Sequence, residues 1–130
     1  MALPSASELL NPVNLLTEAG IRSGMTVADF GCGTLGHFVF AASKLVGESG
    51  KVFAVDIMKS VLAGVVSRMK LENVVNIATV WGDIERMNGV KIPDGTLDIA
   101  VLVNNMFLAK QKDMLVKETA RTVKKGGKLV

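Results

Sequence analysis

Val27-Ala28-Asp29-Phe30-Gly31-Cys32-Gly33-Thr34-Leu35-Gly36 is the stretch whose reading decides the fold. Met25 to Phe30 (MTVADF) reads as a short strand, GCGTLG as a glycine-rich loop, and His37 to Val46 as an apolar helix stopped by Gly47 and Gly50. A strand, a glycine loop and a helix in that order let the backbone approach a ligand closely and aim the helix N-terminus at it. Gly31, Gly33 and Gly36 also match the bare pattern GxGxxG, which suggests a dinucleotide, with Asp56 about 20 residues on for the ribose hydroxyls. Tight strand-to-helix turns use glycine with no ligand as well, so the pattern alone leaves both readings open.

Outward from that loop the chain alternates helix and strand. Asn11-Pro12 opens a helix, with Asn as N-cap and Pro in the first turn. Leu15, Leu16 and Ala19 give it an apolar face, and Gly20 ends it. Lys51 to Asp56 is a second strand, Lys59 to about Leu71 a second long helix, and Val74 to Trp81 a third strand. Gly82 to Gly95 reads mostly as loop, with Pro93-Asp94-Gly95 as a turn. Leu97 to Val103 is a fourth strand, apolar enough to lie centrally in a parallel sheet. Gln111 to Val123 reads as a helix, Gly126-Gly127 as a turn, and Lys128 to Val130 as the start of a fifth strand. Strands separated by helices imply right-handed crossovers and a parallel α/β sheet in a single domain over residues 1–130.

Composition bounds the chemistry. The 130 residues are 49% hydrophobic and 21% charged with net charge +3, a balance that folds rather than stays disordered. Cys32 is the single cysteine and His37 the single histidine, which excludes an internal disulfide and argues against a structural zinc site. No metal is expected. The apolar stretch Leu97 to Ala109 is interrupted by Asp98, Asn104 and Asn105 and is too short to span a membrane; no signal peptide is apparent. A cytoplasmic location is expected. Arg121, Lys124, Lys125 and Lys128 form the densest basic run, read as a solvated helix end or, alternatively, a phosphate-binding patch. No aromatic residue is interleaved with them, which argues against nucleic-acid binding.

Asp29 shifts the choice of ligand. A carboxylate two residues before the first glycine repels a pyrophosphate, whereas S-adenosylmethionine carries an ammonium and a sulfonium and no phosphate. Asp56, at the end of the second strand, can accept both hydroxyls of a ribose or cap a helix. Ile57 and Met58 can wall an adenine. Asp83, after the third strand, can accept from an adenine amino group while the Ile84 N–H reaches a ring nitrogen; alone it would read as a turn residue. Asn104 and Asn105 face the crevice or cap a turn. Ligands in open α/β sheets bind at the carboxyl ends of the strands, where all of these stand.

Together ADFGCGT, KVFAVD, WGDIE, LDIAVLVNNMF and ETARTVKKGGKLV resemble the class I S-adenosylmethionine-dependent methyltransferases, most of all the ubiquinone/menaquinone-biosynthesis C-methyltransferase branch. The resemblance runs from about Leu15 to the last residue. It implies a three-layer αβα Rossmann-like sandwich with sheet order 3-2-1-4-5. It implies that Asp29 and the backbone of Gly31, Cys32 and Gly33 hold the amino-acid part of the cofactor, that Asp56 binds the ribose and Ile57 lies beside adenine. It also implies that Asp83 and Ile84 read the adenine edge and that Asn104 supplies a carbonyl near the ammonium.

Two departures stand out. Leu35 reads as an insertion into the family's GxGxG loop, and the family's last two strands are not in this sequence. The expected outcome is a fifth strand exposed at the sheet edge and association into a homodimer or larger assembly. Three readings follow: a methyltransferase for a small-molecule acceptor, a cofactor-binding fragment without turnover, and an NAD-binding module. Methyl transfer by direct displacement needs no dedicated acid or base, so no catalytic residue is assigned. Arsenic methylation is disfavoured by the lone cysteine.

Overall fold

The computed structural model describes residues 11–33, 36–102 and 109–130. Helix α1 (Pro12–Glu18) starts as its sequence requires: the Asn11 side-chain carbonyl accepts from the N–H groups of Val13 at 2.9 Å and Asn14 at 3.3 Å, with Pro12 in the first turn. Strands β1 (Thr26–Phe30), β2 (Lys51–Asp56), β3 (Ile77–Trp81), β4 (Leu97–Val101) and β5 (Val123–Leu129) alternate with α2 (His37–Val46), α3 (Lys59–Glu72) and α4 (Lys112–Thr122). All strand pairs are parallel and the order is β3-β2-β1-β4-β5, as expected from the resemblance.

Strand alternation sorts the core onto two faces. Val27, Val52, Ala54, Ile77 and Ile99 pack with Leu16 of α1, Val39 and Val46 of α2, and Val61, Leu62 and Val65 of α3. Ala28, Phe30, Val55, Leu97 and Ala100 pack on the other face with Leu115 of α4 and with Val90 and Ile92 from the segment after β3. The result is a three-layer α/β sandwich. Phe30 is fully buried, and burying a side chain of that size contributes about 2 kcal/mol.

The register sets the site. Asp29 pairs with Ala54 on one side and Val101 on the other, and Asp56 pairs with Trp81. The carboxyl ends of β1, β2 and β3 therefore bring Asp29, Asp56 and Trp81 to one rim of the sheet.

Three elements depart from the sequence reading. Strand β3 begins at Ile77, not Val74: Asn73 takes a left-handed φ of 54°, the Val74 N–H returns to the Met69 carbonyl, and Val75 is 90% exposed. Leu15 is exposed, so α1 buries only Leu16. At the end of the chain, α4 stops at Thr122 and the strand begins directly at Val123. Leu97 pairs with Val123 but Ile99 with Lys128, so residues 124–127 bulge out of the ladder where a free turn is expected from Gly126-Gly127.

Helix α4 has few apolar contacts. Leu115 is buried, but so are Glu118, Thr119 and Thr122. The two threonine hydroxyls donate within the helix, to the carbonyls of Leu115 and Thr119 at 2.6 Å. Glu118 is fully buried and accepts from the N–H groups of Asn88 at 2.8 Å and Val90 at 3.0 Å and from two nitrogens of Arg121. Arg121 also donates to the Ile92 and Val90 carbonyls and to Asp94. Arg121 thus leaves the basic run: it is a half-buried clamp, not part of a solvated helix end.

Candidate functional site

Asp29 is 4% exposed, and its Oδ2 has no hydrogen-bond partner among the described residues. Burial, and then the Asp56 carboxylate nearby, push its pKa up to about 7. Among the described residues no cationic side chain pairs with an ionised group in that position. A cationic ligand at the rim would supply the counter-charge.

Asp56 is half-buried and braces the loop. Its Oδ1 accepts from the Met58 N–H at 2.9 Å, and its Oδ2 accepts from the Gly33 N–H at 3.4 Å. It therefore makes a turn ahead of α3 and is not the helix N-cap, which is Met58. The Gly31 and Cys32 N–H groups both donate to the Val55 carbonyl, at 2.7 and 3.1 Å. Those two amides tie the loop to β2, so the loop would meet a ligand through carbonyls, Cα hydrogens and Gly33. Gly33 has φ +74°, and a Cβ built there would meet none of the described residues within 4 Å.

Cys32 is buried, and burial, Asp29 and Asp56 push its thiol up to about 12. It stays protonated and serves packing rather than nucleophilic chemistry. Leu35 and Thr34 of the same loop, and Asn104 and Asn105 after β4, lie outside the described residues.

Further along the rim, Ile57 and Asp83 share the wall of one cavity of about 540 Å³ with Trp81, Gly82 and Met87. Ile57 is 53% exposed, and the Trp81 indole holds its carbonyl at 2.7 Å. Lys59 lies 4.7 Å above the Trp81 ring. Asp83 accepts from the Glu85 N–H at 2.9 Å, and nothing among the described residues accepts from the Ile84 N–H. That donor fits a heterocyclic nitrogen.

The strand end holding Asp83 is fixed by close backbone contact. The Asp83 N–H donates to the Gly89 carbonyl at 3.2 Å, and a Cβ on Gly89 would lie 2.2 Å from the Asp83 carbonyl. Glu118 holds the residues on either side of Gly89, so the α4 clamp reaches the rim through residues 88–90.

Sequence reasoning missed Trp81, Glu118 and Arg121 as parts of this arrangement. Trp81 was legible in principle, as an aromatic residue closing a strand at its ligand-facing end. Glu118 offered only its i,i+3 spacing to Arg121, because the backbone N–H groups it holds, those of Asn88 and Val90, lie 30 and 28 positions away in sequence.

The donor set fits S-adenosylmethionine better than a dinucleotide. The Asp29 carboxylate, unpaired among the described residues, suits an ammonium or sulfonium and opposes a pyrophosphate; Asp56 beside Gly33 suits a ribose; Ile57 and the Ile84 N–H suit an adenine face and edge.

Known proteins share this sequence pattern and fold. The ubiquinone/menaquinone biosynthesis C-methyltransferase UbiE of Escherichia coli O1:K1 is 34% identical over 112 residues, which are 86% of this chain and 43% of that protein. The chain thus spans under half the length of that curated relative. A SAM-dependent methyltransferase from Aquifex aeolicus superposes with TM-score 0.79 at 25% identity, covering 92% of this chain and 63% of its own. The [4+2]-cyclase SpnF superposes with TM-score 0.79 at 19% identity, over 95% of this chain and 44% of its own, which shows the shared fold. No helix among the described residues is long and apolar enough to cross a membrane. The family model described as a methyltransferase domain matches residues 27–127, and this chain belongs to that family, within the class I group its motifs resemble.

Proposed function

We propose that this domain binds S-adenosylmethionine at the carboxyl ends of β1, β2 and β3 and serves methyl transfer to a small-molecule acceptor. The observation that carries the reading is Asp29, buried in the middle of the sheet with Oδ2 unpaired beside the glycine loop. Asp29 balances the cationic end of the cofactor, with the Asn104 carbonyl near the ammonium. Asp56 accepts the ribose hydroxyls, Ile57 covers one adenine face, and Asp83 with Ile84 reads the adenine edge. The backbone of Gly31, Cys32 and Gly33 leaves room for the methionine part. When bound, S-adenosylmethionine supplies an electrophilic methyl group. The residues of this chain bind and align it, and alignment alone removes much of a displacement barrier.

Calorimetric titration tests the reading. S-adenosylmethionine is expected to bind saturably and NAD not to bind. Asp56→Ala is expected to weaken binding by about 1–3 kcal/mol, the worth of charge-assisted hydrogen bonds to a ribose. Equal affinity for NAD would overturn the S-adenosylmethionine reading, and an unchanged affinity in the variant would remove Asp56 from the site.

The proposed setting is the cytoplasm. We also propose self-association through β5, which stands at the sheet edge with Leu129 42% and Val130 40% exposed. Light scattering of the 130-residue chain should give a dimer mass or more; a monomer at high concentration would contradict it.

A further inference from the structure

A second cavity, of about 560 Å³, opens at the amino ends of the strands, on the side of the sheet opposite the cofactor rim. Met25 before β1, Asp98 of β4 and the bulge of β5 form its walls. Four cationic side chains line it: Arg22, Lys124, Lys125 and Lys128.

One carboxylate stands among them. Asp98 accepts from Lys124 at 2.8 Å and from the Thr26 N–H at 2.8 Å. Burial alone would raise its pKa, but those bonds outweigh it and hold the carboxyl below its usual value. Asp98 therefore remains an anion that neutralises Lys124 and orders the wall. Among the described residues no acidic side chain pairs with Arg22, Lys125 or Lys128; the Lys128 ammonium reaches only the Ala19 carbonyl, at 3.4 Å.

The surplus in this one concavity equals the +3 net charge of the whole chain. Cations drawn from separate segments and converging on one space repel one another unless an anion enters. The backbone is shaped for close approach as well. Residues 124–127 leave the β4 ladder at this point, Gly126 has φ +84°, and a Cβ there would meet nothing within 4 Å. Gly20, also lining the cavity, has φ +99°, and a Cβ there would lie 3.1 Å from the Lys128 ammonium. The volume lies within the range of small-molecule sites, about 300–1,000 Å³.

We propose that this cavity is a binding site for a small phosphorylated molecule, its phosphate or diphosphate group held by Arg22, Lys125 and Lys128. Arg22 offers a planar fork and the lysines offer point charges, a combination suited to a multiply charged oxyanion. The site lies across the sheet from Asp29 and Asp56, so occupancy is independent of the cofactor rim. The inference stands whether or not that rim binds S-adenosylmethionine.

The test is titration of the chain with inorganic diphosphate, at low salt. Arg22→Glu/Lys125→Glu is compared with Lys70→Glu/Lys117→Glu, which makes the same charge change at exposed positions outside the cavity. Diphosphate is expected to bind saturably, to weaken tenfold or more in the first double variant and to stay within twofold in the second. Circular dichroism should show both folded. No saturable binding would overturn the proposal, as would an equal loss in both variants, which marks general charge attraction. A second arm uses vesicles containing phosphatidic acid to separate a lipid headgroup from a free phosphate. Binding to vesicles but not to free diphosphate would overturn the cavity as the site.

Discussion

Asp29→Asn should make the protein more stable and nearly abolish its affinity for S-adenosylmethionine. Asp29 is buried and Oδ2 is unpaired, and its pKa rises from 3.8 to about 7. The folded state therefore holds a proton that the unfolded chain releases. The contribution of Asp29 is most favourable below pH 4 and is lost progressively as pH rises to about 7. Every tenfold gain in proton affinity on folding corresponds to about 1.4 kcal/mol. A neutral amide recovers only part of that, since its own N–H groups enter the same polar-poor site. Urea unfolding at pH 8 should show a gain of about 2 kcal/mol, and titration should show a loss of roughly a hundredfold in cofactor affinity, from a deleted charge interaction. A variant that loses stability at pH 8 but binds normally would show that Asp29 is a structural cap.

Glu118→Gln should cost about 3–5 kcal/mol, because it leaves the Arg121 guanidinium, 12% exposed, without its buried counter-charge. That is a large share of the roughly 5–15 kcal/mol that holds a domain together. Thermal unfolding should shift down by about 10 °C or more. Burial would raise the Glu118 carboxyl, but bonds from Arg121, Val90 and Asn88 hold it below its usual value. The stability it adds is present above about pH 4.5 and is lost as pH falls below that. Replacing both Glu118 and Arg121 by apolar residues should cost less than Glu118→Gln alone. A double variant as unstable as the single one would mean that the packing of α4, not the ion pair, holds residues 88–94.

What the sequence made legible follows from distance along the chain. The loop from Gly31 to Gly36, Asp29 before it and Asp56 after β2 are local patterns, and the strand register brings Asp29 and Asp56 to the same rim. The alternation of strands and helices likewise implies a parallel sheet. The C-terminal end is harder to read because its structure depends on partners elsewhere. Arg121 looks like any cation at the end of a helix until Glu118, Val90, Ile92 and Asp94 surround it. Gly126-Gly127 reads as a turn in isolation, and becomes a bulge because β4 continues alongside it. Val74 and Val75 have strand-forming side chains, yet the left-handed turn at Asn73 and the bonds of Asn76 to Ser43 and Gly47 hold that segment out of the sheet.

The most direct test of the central claim is the affinity for S-adenosylmethionine from pH 5.5 to 7.5. If the buried Asp29 is the counter-charge for a cationic cofactor, only its ionised form binds well. With a pKa of about 7, affinity should then rise roughly twentyfold across that range and level off above it. The rise should persist in His37→Gln, which removes the histidine at the start of α2, and vanish in the residual binding of Asp29→Asn. Affinity that is flat with pH, or a rise that disappears with His37, would contradict the account.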